Sequence, residues 1–261
     1  MGILAKALII LLAMNILSCI AFRAICVLDY GKPNMICYRE TTDNRMTYII
    51  AGNMGQADEA SAKIVDDIVG GITFVNFSNV GYQPNQFVNY IMRDRRALPE
   101  GTEVTFVAIS LGNQVGQFIS NRTSDTLYAI NPCMGTKFLN TPMKAACISA
   151  SVVGELLNVA LGWLSFVPVF NLADSPPTHD YSLETLINQF SAIWLLPAAC
   201  PDNPDLTKVV ISNQDELLNN AVIEEFFAGC EIVRIEAKHG SINNYPEEYR
   251  AALIELGLFG K

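Results

Sequence analysis

Charged residues are scarce in this chain of 261 residues: Asp, Glu, Lys and Arg make up 16%, against 51% apolar types. A typical soluble domain carries about 25% charged residues. Basic residues are the scarcer sign, 17 Lys and Arg against 26 Asp and Glu, giving a net charge of −9, and they form no cluster. Such a chain does not grip a phosphate backbone, which excludes nucleic acid as a partner. Histidine occurs only twice, as His179 and His239. With no His-Glu-x-x-His motif and no carboxylate–histidine pair at ligand spacing, no metal site is expected. The seven cysteines, Cys19, Cys26, Cys37, Cys133, Cys147, Cys200 and Cys230, include no Cys-x-x-Cys pair. That excludes a zinc knuckle and a thioredoxin-like centre. Internal repeats and low-complexity tracts are absent, and the apolar content is ample to offset the entropy of ordering.

The apolar excess gathers first at the N-terminus. Residues 3–28 are broken only by Lys6, Asn15 and Arg23. A charged start followed by an apolar run is the pattern of a signal peptide or a membrane anchor. Three export readings follow: cleavage near Ser18 or Ala21, lipidation at Cys19 after a loose lipobox, or an uncleaved anchor. A buried N-terminal helix is the fourth. Lys6 and Arg23 flank the run on both sides, so positive charge leaves the topology open. Residues 1–28 are therefore expected to be a leader or anchor, with an extracytoplasmic domain over 29–261. With Cys19 lipidated or in the membrane, six cysteines remain, an even number compatible with disulfides outside the cytosol. Without export they would be buried free thiols.

Beyond residue 45 the chain alternates strand and helix. Strands are expected at 47–51, 72–77, 103–109, 126–130, 208–211 and 231–235, with one or two more between 26 and 45. Helices are expected at 57–69, from Pro84, from Leu111 to about Asn121, from Glu216 to about Ala228, and over 246–256. Strands separated by single helices need crossover connections, so the fold class is α/β: a mostly parallel sheet with helices on both faces. Residues 133–206 break the rhythm and read as one large insertion.

In an open parallel sheet, ligands collect at the carboxyl ends of strands. Three such ends carry reactive side chains: Ser110 in Ala108-Ile109-Ser110-Leu111-Gly112, Asp215 just past strand 208–211, and His239 four residues after Ile235. Each has a plainer use. Ser110 suits a helix N-cap, Asp215 suits a cap for the helix from Glu216, and Gln214 or Glu216 is an alternative neighbour for His239. His179, in a Pro-rich loop, reads as a surface or lid-hinge residue.

Serine, acid and histidine in that order at successive strand ends resemble the α/β-hydrolase family. The resemblance covers about residues 46–132 and 206–258. It implies a serine hydrolase with Ser110 as nucleophile, His239 as general base and Asp215 as the orienting carboxylate. It implies oxyanion donors at the N–H groups of Leu111 and Asn53, with Met54 as the substitute for Asn53. Two positions depart from the family pattern: Ala108 stands where the elbow usually has glycine, and Ala51 stands where the oxyanion turn commonly has histidine. The insertion falls where the family places a cap, between its sixth and seventh strands. Its apolar stretch, 143–170, points to a pocket for an apolar acyl or alkyl group or, alternatively, to a second membrane-associated segment; Glu155 and Asn158 near its middle argue against the latter.

The expected activity is hydrolysis of an ester, thioester or related acyl bond through an acyl-enzyme. No cofactor is implied, and the expected partners are a small-molecule or lipid-like acyl substrate and a membrane. Two other readings share the fold: a catalytically silent binding scaffold and a serine peptidase.

Overall fold

The structure is a computed structural model that describes residues 2–25, 31–40, 43–52, 64, 66–78, 81–171, 180–195, 198–239, 242 and 244–259. The first element is a 23-residue helix, α1 (Ile3–Ile25). Six parallel strands follow in the main sheet: β2 (Arg45–Ile50), β3 (Gly71–Asn76), β4 (Glu103–Ile109), β5 (Thr126–Ile130), β8 (Thr207–Ser212) and β9 (Glu231–Ile235). A seventh strand, β1 (Asn34–Arg39), pairs antiparallel with the outer side of β3, giving the order β1-β3-β2-β4-β5-β8-β9. One strand thus occupies the 26–45 region among the described residues. By plain count the insertion follows the fifth strand of this sheet.

Burial shows why the strands read as near-continuous apolar runs. Tyr48, Ile50, Phe106, Ala108, Leu127, Ala129, Val209 and Ile211 point into one core. There they meet helices α2 (Pro84–Ala97), α3 (Gly112–Thr123) and α6 (Asn220–Phe226). The alternate residues Ile49, Phe74, Val107, Tyr128 and Val210 enter a second core, with α7 (Pro246–Glu255) and Ile64 and Ile68. The period-two alternation of each strand is what divides the two cores. The helix expected over 57–69 lies almost wholly outside the described residues.

The helix expected from Glu216 starts later, at Asn220. Residues 216–219 are instead drawn to the insertion: Asn140 N–H donates to the Leu217 carbonyl at 2.9 Å, and Asn219 N–H donates to the Phe138 carbonyl at 2.7 Å. These tertiary bonds outcompete local helix propensity.

The insertion carries a long helix, α4 (Thr141–Leu161), a 3-10 turn (Gly162–Phe166), a two-stranded hairpin of β6 (Pro168–Asn171) and β7 (Asp180–Ser182), and α5 (Leu183–Leu195). Asn140 caps α4, its side chain accepting from Met143 N–H at 3.0 Å, and Gly162 ends it with a left-handed φ of 58°. Such a φ is available to glycine without strain. Cys37, Cys133, Cys147, Cys200 and Cys230 are all unpaired, so none of these five forms a disulfide.

Candidate active site

Ser110 terminates β4 at a sharp turn into α3, with φ 49°, a conformation a non-glycine residue adopts only under constraint. The constraint comes from the end of β5. Ser110 N–H donates to the Ile130 carbonyl at 2.9 Å, and the Ser110 carbonyl accepts from Cys133 N–H at 3.1 Å. Asn113 adds a brace, its Nδ2 donating to the carbonyls of Ser110 (3.0 Å) and Ile130 (3.1 Å).

The turn also needs a close approach to β2. A Cβ on Gly112 would sit 2.5 Å from the Ala51 carbonyl oxygen, so only glycine fits there. Ala108, in the place usually held by glycine, is accommodated from the helix side. A Cβ on Gly116 would lie 2.9 Å from the Ala108 Cβ, and its absence makes the room.

Ser110 does not cap α3, which has no side-chain cap. Its Oγ lies 2.9 Å from His239 Nε2. On the other side of the ring, Nδ1 lies 2.7 Å from Asp215 Oδ2. The Asp215 carboxylate is fully buried and the imidazole nearly so. The second carboxylate oxygen, Oδ1, accepts from the N–H groups of Leu217 and Leu218, each at 2.9 Å. Asp215 therefore organises its own turn as well as facing the ring. The alternative neighbours do not reach it: Gln214 donates to Glu236, and Glu216 accepts from the His239 backbone N–H at 3.4 Å.

The Leu111 N–H, one residue past Ser110, has no acceptor among the described residues, although Leu111 is fully buried. Gly52 runs beside Ser110, where a Cβ would meet the Ser110 Cβ at 3.1 Å. Asn53 and Met54, expected as the second donor, lie outside the described residues, as does His179.

Sequence reasoning missed a buried polar network beneath these groups. Asn131 donates through Nδ2 to Ser212 Oγ and to Tyr249 Oη, both at 2.9 Å. Its Oδ1 accepts from Ser212 N–H at 2.9 Å. Tyr249 in turn donates to the Lys238 carbonyl at 3.1 Å. The network links the ends of β5 and β8 to the loop that carries His239. Burial pushes the Tyr249 hydroxyl up to about 12, with the hydrogen bonds from Ser212 and Asn131 pulling the other way. Its only sequence signal was a tyrosine on the inner stripe of the last helix. Burial likewise pushes the thiol of Cys133, whose backbone N–H bonds the Ser110 carbonyl, up to about 12.

No family model matches the chain, and no curated protein sequence does. Solved structures do. A hydrolase from Pseudomonas aeruginosa superposes with a TM-score of 0.60 at 14% identity, covering 86% of this chain and 94% of that one. An enol-lactonase from Burkholderia xenovorans gives 0.60 at 13%, covering 86% and 96%. An alpha/beta hydrolase enzyme from a Medee basin deep-sea metagenome library gives 0.60 at 13%, covering 89% and 96%. The chain has the α/β-hydrolase fold. Within that fold Ser110, Asp215 and His239 stand at the carboxyl ends of β4, β8 and β9, and the insertion between β5 and β8 lies over the first turn of α3. Gln114 Nε2 donates across to the Ala192 carbonyl of α5 at 3.4 Å.

Proposed function

We propose that this α/β-hydrolase-fold protein is a serine hydrolase that cleaves an ester, thioester or related acyl bond. The observation that carries the reading is the continuous contact from Ser110 Oγ to His239 to the buried Asp215, built on a strained strand-to-helix turn. The hydrolase names of its structural neighbours agree with it.

In this reading His239 Nε2 takes the proton of Ser110 as the hydroxyl oxygen attacks the acyl carbonyl. Asp215 holds Nδ1 protonated and stabilises the imidazolium that forms. The negative charge on the carbonyl oxygen is met by the Leu111 N–H, which has no acceptor among the described residues, with the Asn53 N–H as the second donor. His239 then returns the proton to the leaving group, leaving an acyl group on Ser110. Water activated by the same imidazole releases it. The apolar insertion, whose α5 bonds the first turn of α3 just after Ser110, favours an apolar acyl group. Helix α1 tethers the protein to a membrane.

A fluorophosphonate probe tests the assignment. The wild-type chain is expected to be labelled covalently, and labelling is expected to vanish in Ser110→Ala. Folded wild-type protein that resists the probe would instead be a silent scaffold.

A further inference from the structure

Helix α4 is built inside out for a water-soluble protein. Its buried stripe is Cys147, Ser151, Gly154 and Asn158, at helical spacing. The side facing away from the protein carries Val152, Val153, Leu156, Leu157, Val159 and Leu161, with Leu156 68% exposed. Trp163, in the turn that follows, is 49% exposed. The two charges of the helix, Lys144 and Glu155, fall beside the buried stripe on a 3.6-residue wheel and leave the outer face uncharged.

The polar groups are inside. Asn158 donates to Glu184, Ser165 donates to Asn158, and Asn188 donates to the other oxygen of Glu184 at 3.1 Å. Glu184 is completely buried. An insertion that buries Glu184, Asn158 and Ser165 while displaying leucine and valine, with Lys144 and Glu155 exposed at the flank of that display, is adapted to an apolar solvent bordered by water.

What supplies that solvent is indicated by α1. Its large apolar residues are exposed from Ile3 to Ile20, and the apolar run between Lys6 and Arg23 rises about 24 Å as a helix, most of a bilayer core of about 30 Å. It packs on the insertion through its middle rather than its end. Asn15 Nδ2 donates to the Ala160 carbonyl at 3.4 Å, and a Cβ on Gly162 would lie 3.1 Å from Asn15 Oδ1. An amide halfway along an apolar helix needs a partner in lipid, and α4 provides it. A bilayer that surrounds α1 must therefore also cover the residues at Ala160 and Gly162.

We propose that the outer face of the 141–164 segment is embedded in a lipid bilayer beside α1, so that the insertion is a membrane-seated cap. This rests on the membrane-tether reading of α1. The cap lies along the membrane and does not span it. Both its ends return to the hydrolase body, through the bonds of Asn140 to Leu217 and Glu216 at one end and through α5 at the other. The layers run from the body to α5, to α4 and then to lipid, with Gly154 packed against Ile187 where α4 meets α5. This seats the Ser110 side of the molecule toward the membrane, and the substrate class it favours is the acyl ester of a membrane lipid.

The chain has only two tryptophans, Trp163 and Trp194, so depth can be read from the full-length protein in phosphatidylcholine vesicles. In Trp194→Phe, Trp163 is expected to lose most of its fluorescence when the lipid is brominated midway along its acyl chains, and to ignore aqueous iodide. Leu156→Trp, in a background lacking both natural tryptophans, is expected to behave the same way. Quenching by iodide but not by bromolipid at these positions overturns the proposal; so does shielding from both, which would mean cover by a second copy of the chain. A tryptophan at Leu11 in α1 separates the two readings. If Leu11→Trp reads lipid while Trp163 reads water, the tether stands and the seated cap fails. If both read water, the tether fails as well. As a functional arm, Leu156→Asp is expected to lose most hydrolysis of vesicle-borne lipid ester while a soluble short-chain ester is turned over as before. Equal loss on both substrates, or none on either, counts against the seated cap.

Discussion

Asp215 holds two structures with one carboxylate: Oδ2 faces the imidazole and Oδ1 secures the Leu217 and Leu218 amides. Substitutions separate the two. Asp215→Asn retains an oxygen for the turn but cannot hold Nδ1 protonated. Turnover is expected to fall by about ten-thousandfold with little change in melting temperature. Asp215→Ala removes both functions and is expected to lower the melting temperature too; kinetics and calorimetry on the two variants make the comparison. Tyr249→Phe is a milder case. It leaves the Lys238 carbonyl and its partners in the network short of a bond, costing about 1–2 kcal/mol of stability, with a modest loss of kcat as the His239 loop loosens. Denaturant titration beside steady-state kinetics reads both effects.

At the scale of elements, the approach of α3 to β4 depends on which residue of a facing pair lacks a Cβ. Gly116→Ala would put its new Cβ 2.9 Å from the Ala108 Cβ and 3.0 Å from Leu127 Cδ1. It is expected to destabilise by about 1–3 kcal/mol. Adding Ala108→Gly to Gly116→Ala is expected to recover part of that loss, which a double-mutant cycle measures. This complementarity is why alanine is tolerated at the turn. The strands over 103–109, 126–130 and 231–235 were legible because β-branched and aromatic runs need no help to choose extended backbone. The stretch from Glu216 was not, because its amides answer to Asp215 and its carbonyls to Asn140. Asp215 adjoins this stretch, but Asn140, which takes up its carbonyls, lies 76 residues from Glu216.

For the molecule as a whole, burial raises the proton affinity of Cys133 and Tyr249 to about 12, of Tyr128 to about 12 and of Cys230 to about 11. The unfolded chain releases these protons near the ordinary values of 9.0 for cysteine and 10.0 for tyrosine. Between about pH 9 and 12 the folded state therefore binds more protons than the unfolded one, and its stability falls as pH rises. The urea midpoint is expected to be lower at about pH 10.5 than at about pH 8, and Cys230→Ser is expected to flatten the decline.

The order of Ser110, Asp215 and His239 along the chain, their position at strand ends and the alternation of strand and helix were determined by sequence alone, because they rest on local periodicity and chain order. The tertiary structure decided which acidic neighbour faces the imidazole, and it assembled Asn131, Ser212 and Tyr249 from three distant segments. It also decided the direction of the apolar stretch at 143–170. Composition records how apolar a helix is, but which side it shows to its surroundings depends on where the rest of the protein packs against it.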